Sequence, residues 1–227
     1  MKALLYKELR LAMHPICYVF IALFPLMVLI PSYPLGIGFI YILTCYPILF
    51  LGANKGQQSN DLLYSVLLPV RKKDIVLARI LTVILMQVSF MIIMSLLYPL
   101  ARMINEAASM SSSKPGEFTV PGLGHDSYVL LLAIALIGYA VADLIFFPIY
   151  YKKGRSIVMS TLLTILGFVA YICIFTIGLP FIPGLEGMNN LHLGIQFGIL
   201  AGAIVLSFVL HLVVYKVSSK KLEKVDF

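Results

Sequence analysis

Six long apolar stretches, nearly empty of charge, constrain this chain more than any other feature. They run over residues 15–31, 34–53, 77–101, 128–151, 157–179 and 194–215. A hydrocarbon core about 30 Å thick takes roughly 20 apolar residues of helix to cross, at about 1.5 Å per residue. Backbone polar groups in lipid must find partners inside the protein, so only helices and closed barrels span a membrane. Barrel strands alternate apolar and polar residues, and these stretches do not. The expectation is an all-α membrane protein with six transmembrane helices. Composition excludes a soluble domain: 61% of the residues are hydrophobic and only 12% charged, too little charge for a water-facing surface.

Orientation follows from the basic residues. All but Arg102 and Lys114 of the 17 Lys and Arg residues fall in the N-terminus, the second connection, the fourth connection or the C-terminus. Basic residues favour the cytoplasmic face, so both termini are expected in the cytoplasm. The net charge of +7 then reflects topology and anionic lipid rather than a nucleic-acid partner. Segment 1–14 reads as an interfacial helix. Leu4, Leu5, Leu9 and Ala12 share one face, and Lys2, Lys7 and Arg10 reach for head groups. Ser32 and Tyr33 separate the first two spans, which therefore form a tight hairpin. Pro25, Pro47, Pro99 and Pro148 lie inside spans and predict kinks or broken turns. Segment 102–127, rich in Ser, Gly and Pro, reads as an irregular external loop. Segment 180–193 is external and apolar enough to dip back into the bilayer, and 216–227 is a cytoplasmic tail.

The chain carries few groups able to do chemistry. It has no phosphate-binding GxxxxGK[ST] loop, no HExxH zinc motif and no GxSxG elbow. Cys17, Cys45 and Cys173 sit in apolar runs and lack metal-ligand or disulfide spacing. His14, His125, His192 and His211 are dispersed and read as structural. Asp143 stands out as an acidic residue well inside a span, where an ionisable group is costly. It can line a polar path, carry a proton or pair with a base on another helix. The plainer reading is a carboxyl bonded to Thr161 or Thr164, or protonated. Gln87, Asn105 and Gln196 add polarity without a traceable relay. Gly194, Gly198 and Gly202 make a row of small residues on one helix face, suited to close packing within the subunit or to a dimer seam, with the former favoured.

Residues 54–76 form the longest polar interruption on the basic side. Within them Leu62, Leu63, Val66 and Leu67 give a short helix an apolar face, Pro69 ends it, and Arg71, Lys72 and Lys73 follow. Such a helix touches either the lipid surface or a cytoplasmic partner.

From Leu68 through Pro69, Val70, Arg71, Lys72, Lys73, Asp74, Ile75 and Val76 to Arg79, the chain resembles the ABC-2 family of transporter permeases, in particular the small six-span bacterial type. LLYKELRL near the N-terminus and VSSKKLEKVDF at the end extend the likeness across the layout. Family members often carry a serine after the valine. Here Arg71 takes that place, removing a candidate cap for the third span. The resemblance implies the transmembrane subunit of an ATP-driven exporter in a bacterial cell membrane, not itself an enzyme. It implies that Asp61, Leu62, Leu63, Tyr64, Val66, Leu67, Pro69, Arg71 and Lys72 form a coupling helix and its flank, docked on a separate ATPase. Two ATPase copies, holding ATP and Mg, would serve a dimer of this chain or of this chain with a paralogue. The chain itself would bind no cofactor or metal. The interfacial helix would act as an elbow. Few charges line the spans, which favours an amphipathic or lipid-like cargo, and the resemblance implies amphipathic peptide toxins such as phenol-soluble modulins as the leading example. Two readings from other classes stay open: a secondary transporter driven through Asp143, and a non-transporting scaffold or immunity protein.

Overall fold

The computed structural model describes residues 2–12, 16–29, 70–111, 128–152, 157–174 and 192–224. Every regular element among them is helical. Helix α1 (Lys2–Lys7) runs into a π-helical turn, Glu8–Ala12. Helix α2 (Ile16–Leu26) closes in a 3-10 turn, Met27–Leu29. Helices α3 (Lys72–Ser111), α4 (Tyr128–Lys152), α5 (Ile157–Cys173) and α6 (Leu193–Glu223) follow. Three of them hold segments long and apolar enough to cross a membrane: Lys72–Ile104, Tyr128–Tyr151 and Leu193–Glu223. Ile16–Leu26 and Val158–Cys173 are shorter apolar helices. The expected second span, 34–53, the coupling helix through Pro69, and most of segment 180–193 lie outside the described residues.

Two helices run further than the apolar pattern suggests. α3 begins at Lys72, before the expected start at residue 77, and continues past Ala101 to Ser111. The amides of Asp74 and Ile75 donate to the Arg71 carbonyl at 2.9 and 3.4 Å. Asp74 in the first turn suits the positive end of the helix dipole, so the helix starts without a hydroxyl cap. At the other end, Glu106, Ala107, Ala108 and Met110 are good helix formers, and the first Pro-Gly pair comes only at 115–116. The opening of the expected irregular loop is therefore helical. α6 likewise continues through the expected tail to Glu223, with Lys220 and Lys221 in its last turn, where cations oppose the negative dipole end. At its start the His192 ring nitrogen Nδ1 accepts from the Gly194 amide at 3.2 Å.

α4 is the central helix. It packs broadly against α6 and α5, while α3 packs against α1, α2 and α6. Gly138 lets α5 come close, because a Cβ there would lie 2.8 Å from a Phe168 ring atom and 2.9 Å from one of Tyr171. Tyr171 Oη then donates to the Ile134 carbonyl at 2.8 Å. Val76, Ile80, Val83, Phe90 and Met94 from α3 meet Phe146, Phe147, Tyr150 and Tyr151 from α4 in one buried cluster. α6 is built the other way round from a water-soluble amphipathic helix. Its buried residues are mostly small or polar: Gln196, Ala203, Ser207, Ser218 and Ser219. Its exposed residues are large and apolar, among them Phe197, Val205, Phe208 and Leu212. Lipid is as apolar as leucine, so small and polar residues are what make helix contacts in a bilayer.

The row Gly194, Gly198 and Gly202 does not serve close packing among the described residues. A Cβ on Gly198 or Gly202 would meet nothing within 4 Å, and one on Gly194 would meet only His192 of the same helix. The described residues therefore supply no neighbour that packs on this row.

Candidate functional site

Polar side chains in a lipid-facing bundle have no water to turn to, so where they meet is informative. The backbones of α3 and α4 stay apart, and besides the apolar cluster, polar side chains join the two helices at three heights. Arg79, Gln87 and Ser95 mark those heights, about 12 Å apart along α3.

The layer nearest the basic end of the bundle is an ion pair. Arg79 Nε donates to Glu8 Oε2 at 3.0 Å, and Arg79 Nη2 to Glu8 Oε1 at 3.3 Å. Arg79 Nη1 also donates to Tyr150 Oη at 3.3 Å. Both charged side chains are about 5% exposed. A planar guanidinium matches a carboxylate in this forked geometry, which adds orientation as well as energy. The pair pins the N-terminal helix to α3 and, through Tyr150, to α4. Lys7 Nζ lies 3.8 Å from Glu8 Oε1. Tyr18 Oη donates to the Leu9 carbonyl, which ties α2 to the same turn. Leu4 is buried, one turn before Glu8. The N-terminal helix thus turns Leu4 and Glu8 to the bundle, while Leu5 and Leu9 are only half-buried. Close by, Lys221 Nζ donates to the Pro148 carbonyl at 3.1 Å, and Lys73 and Glu223 pair at 3.3 Å in an exposed position.

The middle layer centres on Asp143, fully buried on α4. Its Oδ2 accepts from Gln87 Nε2 of α3 at 3.1 Å and lies 3.0 Å from His211 Nε2 of α6. His211 Nδ1 lies 2.7 Å from the Ser207 carbonyl. A carbonyl only accepts, so Nδ1 carries a hydrogen. The Nε2 to Oδ2 contact needs one more hydrogen, on the nitrogen or on the oxygen. The first case is imidazolium with carboxylate, the second imidazole with carboxylic acid. Either way the pair has no net charge, and three helices meet at it.

The third layer is smaller. Tyr128 Oη donates to Ser95 Oγ at 3.1 Å, and Ser95 Oγ to the Met91 carbonyl at 2.8 Å. The Tyr128 and Tyr98 rings stack at 4.0 Å.

These layers settle several sequence expectations. Asp143 bonds to Gln87 and His211, while Thr164 donates to the Ser160 carbonyl at 2.7 Å and the Thr161 hydroxyl is buried without a partner among the described residues. His211, expected to be an isolated structural histidine, is the partner of that carboxyl. A chain of hydrogen-bond contacts that the sequence does not reveal runs through Gln87, Asp143, His211 and Ser207. Of the expected coupling residues, Asp61, Leu62, Leu63, Tyr64, Val66, Leu67 and Pro69 lie outside the described residues, Arg71 is exposed and Lys72 opens α3. Sequence reasoning missed Glu8 altogether. Its signal was an acid alone among Lys2, Lys7 and Arg10, with Arg79 at the edge of an apolar stretch.

A bundle of apolar helices, with its ionisable groups paired across helix contacts, defines an integral membrane protein. Residues 3–223 match the family model described as ABC-2 family transporter protein, and the chain therefore belongs to the ABC-2 transporter family. No curated protein and no solved structure matches it. Membership makes it the permease component of an ABC transporter, a class of membrane subunit that is typically non-catalytic.

Proposed function

We propose that this chain is the transmembrane subunit of an ATP-driven exporter that moves amphipathic peptides, of the phenol-soluble modulin type, or lipid-like molecules out of a bacterial cell. The family match over residues 3–223 carries the reading. The basic end faces the cytoplasm by the positive-inside rule. There the coupling segment, with Leu62, Leu63, Val66 and Leu67 as its apolar face, docks on a separate ATPase, two copies of which hold ATP and Mg. The segment feeds directly into Arg71 and α3, and two turns later Arg79 grips Glu8. A push on the coupling segment therefore reaches α3 and the N-terminal elbow together. Through Tyr150 it also reaches α4, and rigid-body rocking of packed helices is an established form of such motion. A second copy of this chain, or a paralogue, completes the pathway. The apolar outer faces of α5 and α6 and the scarcity of charge along the spans support an amphipathic rather than a strongly polar cargo.

The test is co-purification in detergent with the ATPase encoded beside the gene, comparing wild type with Leu62→Asp/Leu63→Asp. Capture by the wild type and loss in the double variant is the expected result. A well-folded wild-type chain that captures no ATPase overturns the reading.

A further inference from the structure

We propose that Asp143 and His211 form a one-proton latch that holds α6 against α4 and α3, and that α6 loosens when the pair gains or loses that proton. The proposal concerns the isolated chain and stands whatever the cargo or ATPase turns out to be.

The first support is how α6 is held. Its large apolar residues face outward, and its buried face is mostly small and polar. Apolar burial gives little net drive between helices in lipid, so polar contacts carry an unusual share of the docking. At the basic end α6 has Lys221 on the Pro148 carbonyl and Glu223 beside Lys73. At mid-height it has His211 on Asp143, with Asp143 also bonded to Gln87 of α3.

The second support is the hydrogen count. Ser207 fixes one hydrogen on Nδ1, and the 3.0 Å contact at Nε2 holds the other. Removing that hydrogen sets a ring lone pair against a carboxylate and leaves a net negative charge. Adding one leaves a carboxylic acid beside an imidazolium and a net positive charge. Both states place an unbalanced charge at membrane depth, which is costly. The ionisable group in contact with the imidazole is Asp143, at 3.0 Å. Gln87 from α3, on the carboxyl, and Ser207 from α6, on the ring, are neutral neighbours of the pair, and the α5 hydroxyl side chains Ser160, Thr161 and Thr164 carry no charge. Glu8, Arg79 and Tyr150 are engaged with one another one layer away.

Nitrogen NMR of histidine-labelled chain in lipid nanodiscs tests the hydrogen count, with His211→Gln identifying the resonances. A protonated Nδ1 and an Nε2 that shares its hydrogen with a carboxyl are expected. A ring protonated on Nε2 alone, with a bare Nδ1, overturns the latch. Thermal unfolding from acid to alkaline pH tests the consequence, comparing wild type with Asp143→Asn/His211→Gln, which keeps an uncharged hydrogen bond. The stability difference should form a plateau that falls away on both sides, with the latch shifting the docking equilibrium about three- to twentyfold within it. Parallel curves for the two proteins overturn the proposal, even if ATPase capture succeeds.

Discussion

Breaking the Glu8–Arg79 pair should destabilise the protein more than any single apolar truncation on the outer face of α6. Both side chains are about 5% exposed, and two bonds of 3.0 and 3.3 Å join them. Removing one partner of a buried pair leaves a desolvated charge and typically costs about 3–5 kcal/mol. Replacing both partners by apolar residues of similar size is often neutral, because the desolvation penalty goes with the charges. Glu8→Leu and Arg79→Met alone should therefore each be severe, and Glu8→Leu/Arg79→Met together close to wild type. The two single changes should differ. Without Arg79, Glu8 keeps Lys7 at 3.8 Å, whereas without Glu8 the guanidinium keeps the neutral Tyr150 hydroxyl at 3.3 Å. Glu8→Leu should be the worse. Unfolding in mixed micelles with a rising denaturing fraction would measure all four proteins as a double-mutant cycle. If Glu8→Leu falls within about 0.5 kcal/mol of wild type, as a surface change would, the pair is effectively solvated and the clamp is not a structural element.

Gly138→Ala should cost about 1–3 kcal/mol in the same assay, since its methyl group would press on the Phe168 and Tyr171 rings and part α5 from α4. Gly198→Ala/Gly202→Ala should leave the isolated subunit no less stable, gaining up to about 1 kcal/mol of helix propensity per site. A loss of stability in the monomer would mean that the row packs within the subunit after all. Tyr171→Phe should cost about 1 kcal/mol, as the Ile134 carbonyl loses its 2.8 Å donor, and a neutral result would mean that lipid or water replaces it.

How far the sequence could be read depends on which signal each feature left. Helices α4 and α6 are plain because their apolar runs are long and hold few polar residues. The ends of α3 and α6 were not, because hydropathy marks where lipid stops and says nothing of where backbone bonding stops. Residues such as Glu106 and Lys220 are polar yet good helix formers. Asp143 was found because a carboxyl is conspicuous among aliphatics. Its partners were not found, because pairing depends on the rotation and height of helices distant in sequence, and Asp143 and His211 are 68 positions apart. Glu8 was hidden for a different reason. In a short basic helix next to lipid, an acid looks like one more head-group contact until a base on another helix is seen to face it. The glycine row shows a different limit: a pattern on one helix does not name its neighbour, and none of the described residues packs on Gly198 or Gly202.

The build of α6 bears on how this helix tolerates change. In a water-soluble protein, outward positions drift freely in chemical character and inward ones are confined to large apolar side chains. Here outward positions such as Val205, Phe208 and Leu212 should exchange freely among Leu, Ile, Val and Phe yet reject charge. Inward positions such as Ala203, Ser207 and Ser218 should reject bulk while accepting one small residue for another. A substitution table derived from soluble proteins would rank Ser207→Leu as a gain at a buried site. On this helix it would wedge α6 from its neighbours and unseat the ring of His211.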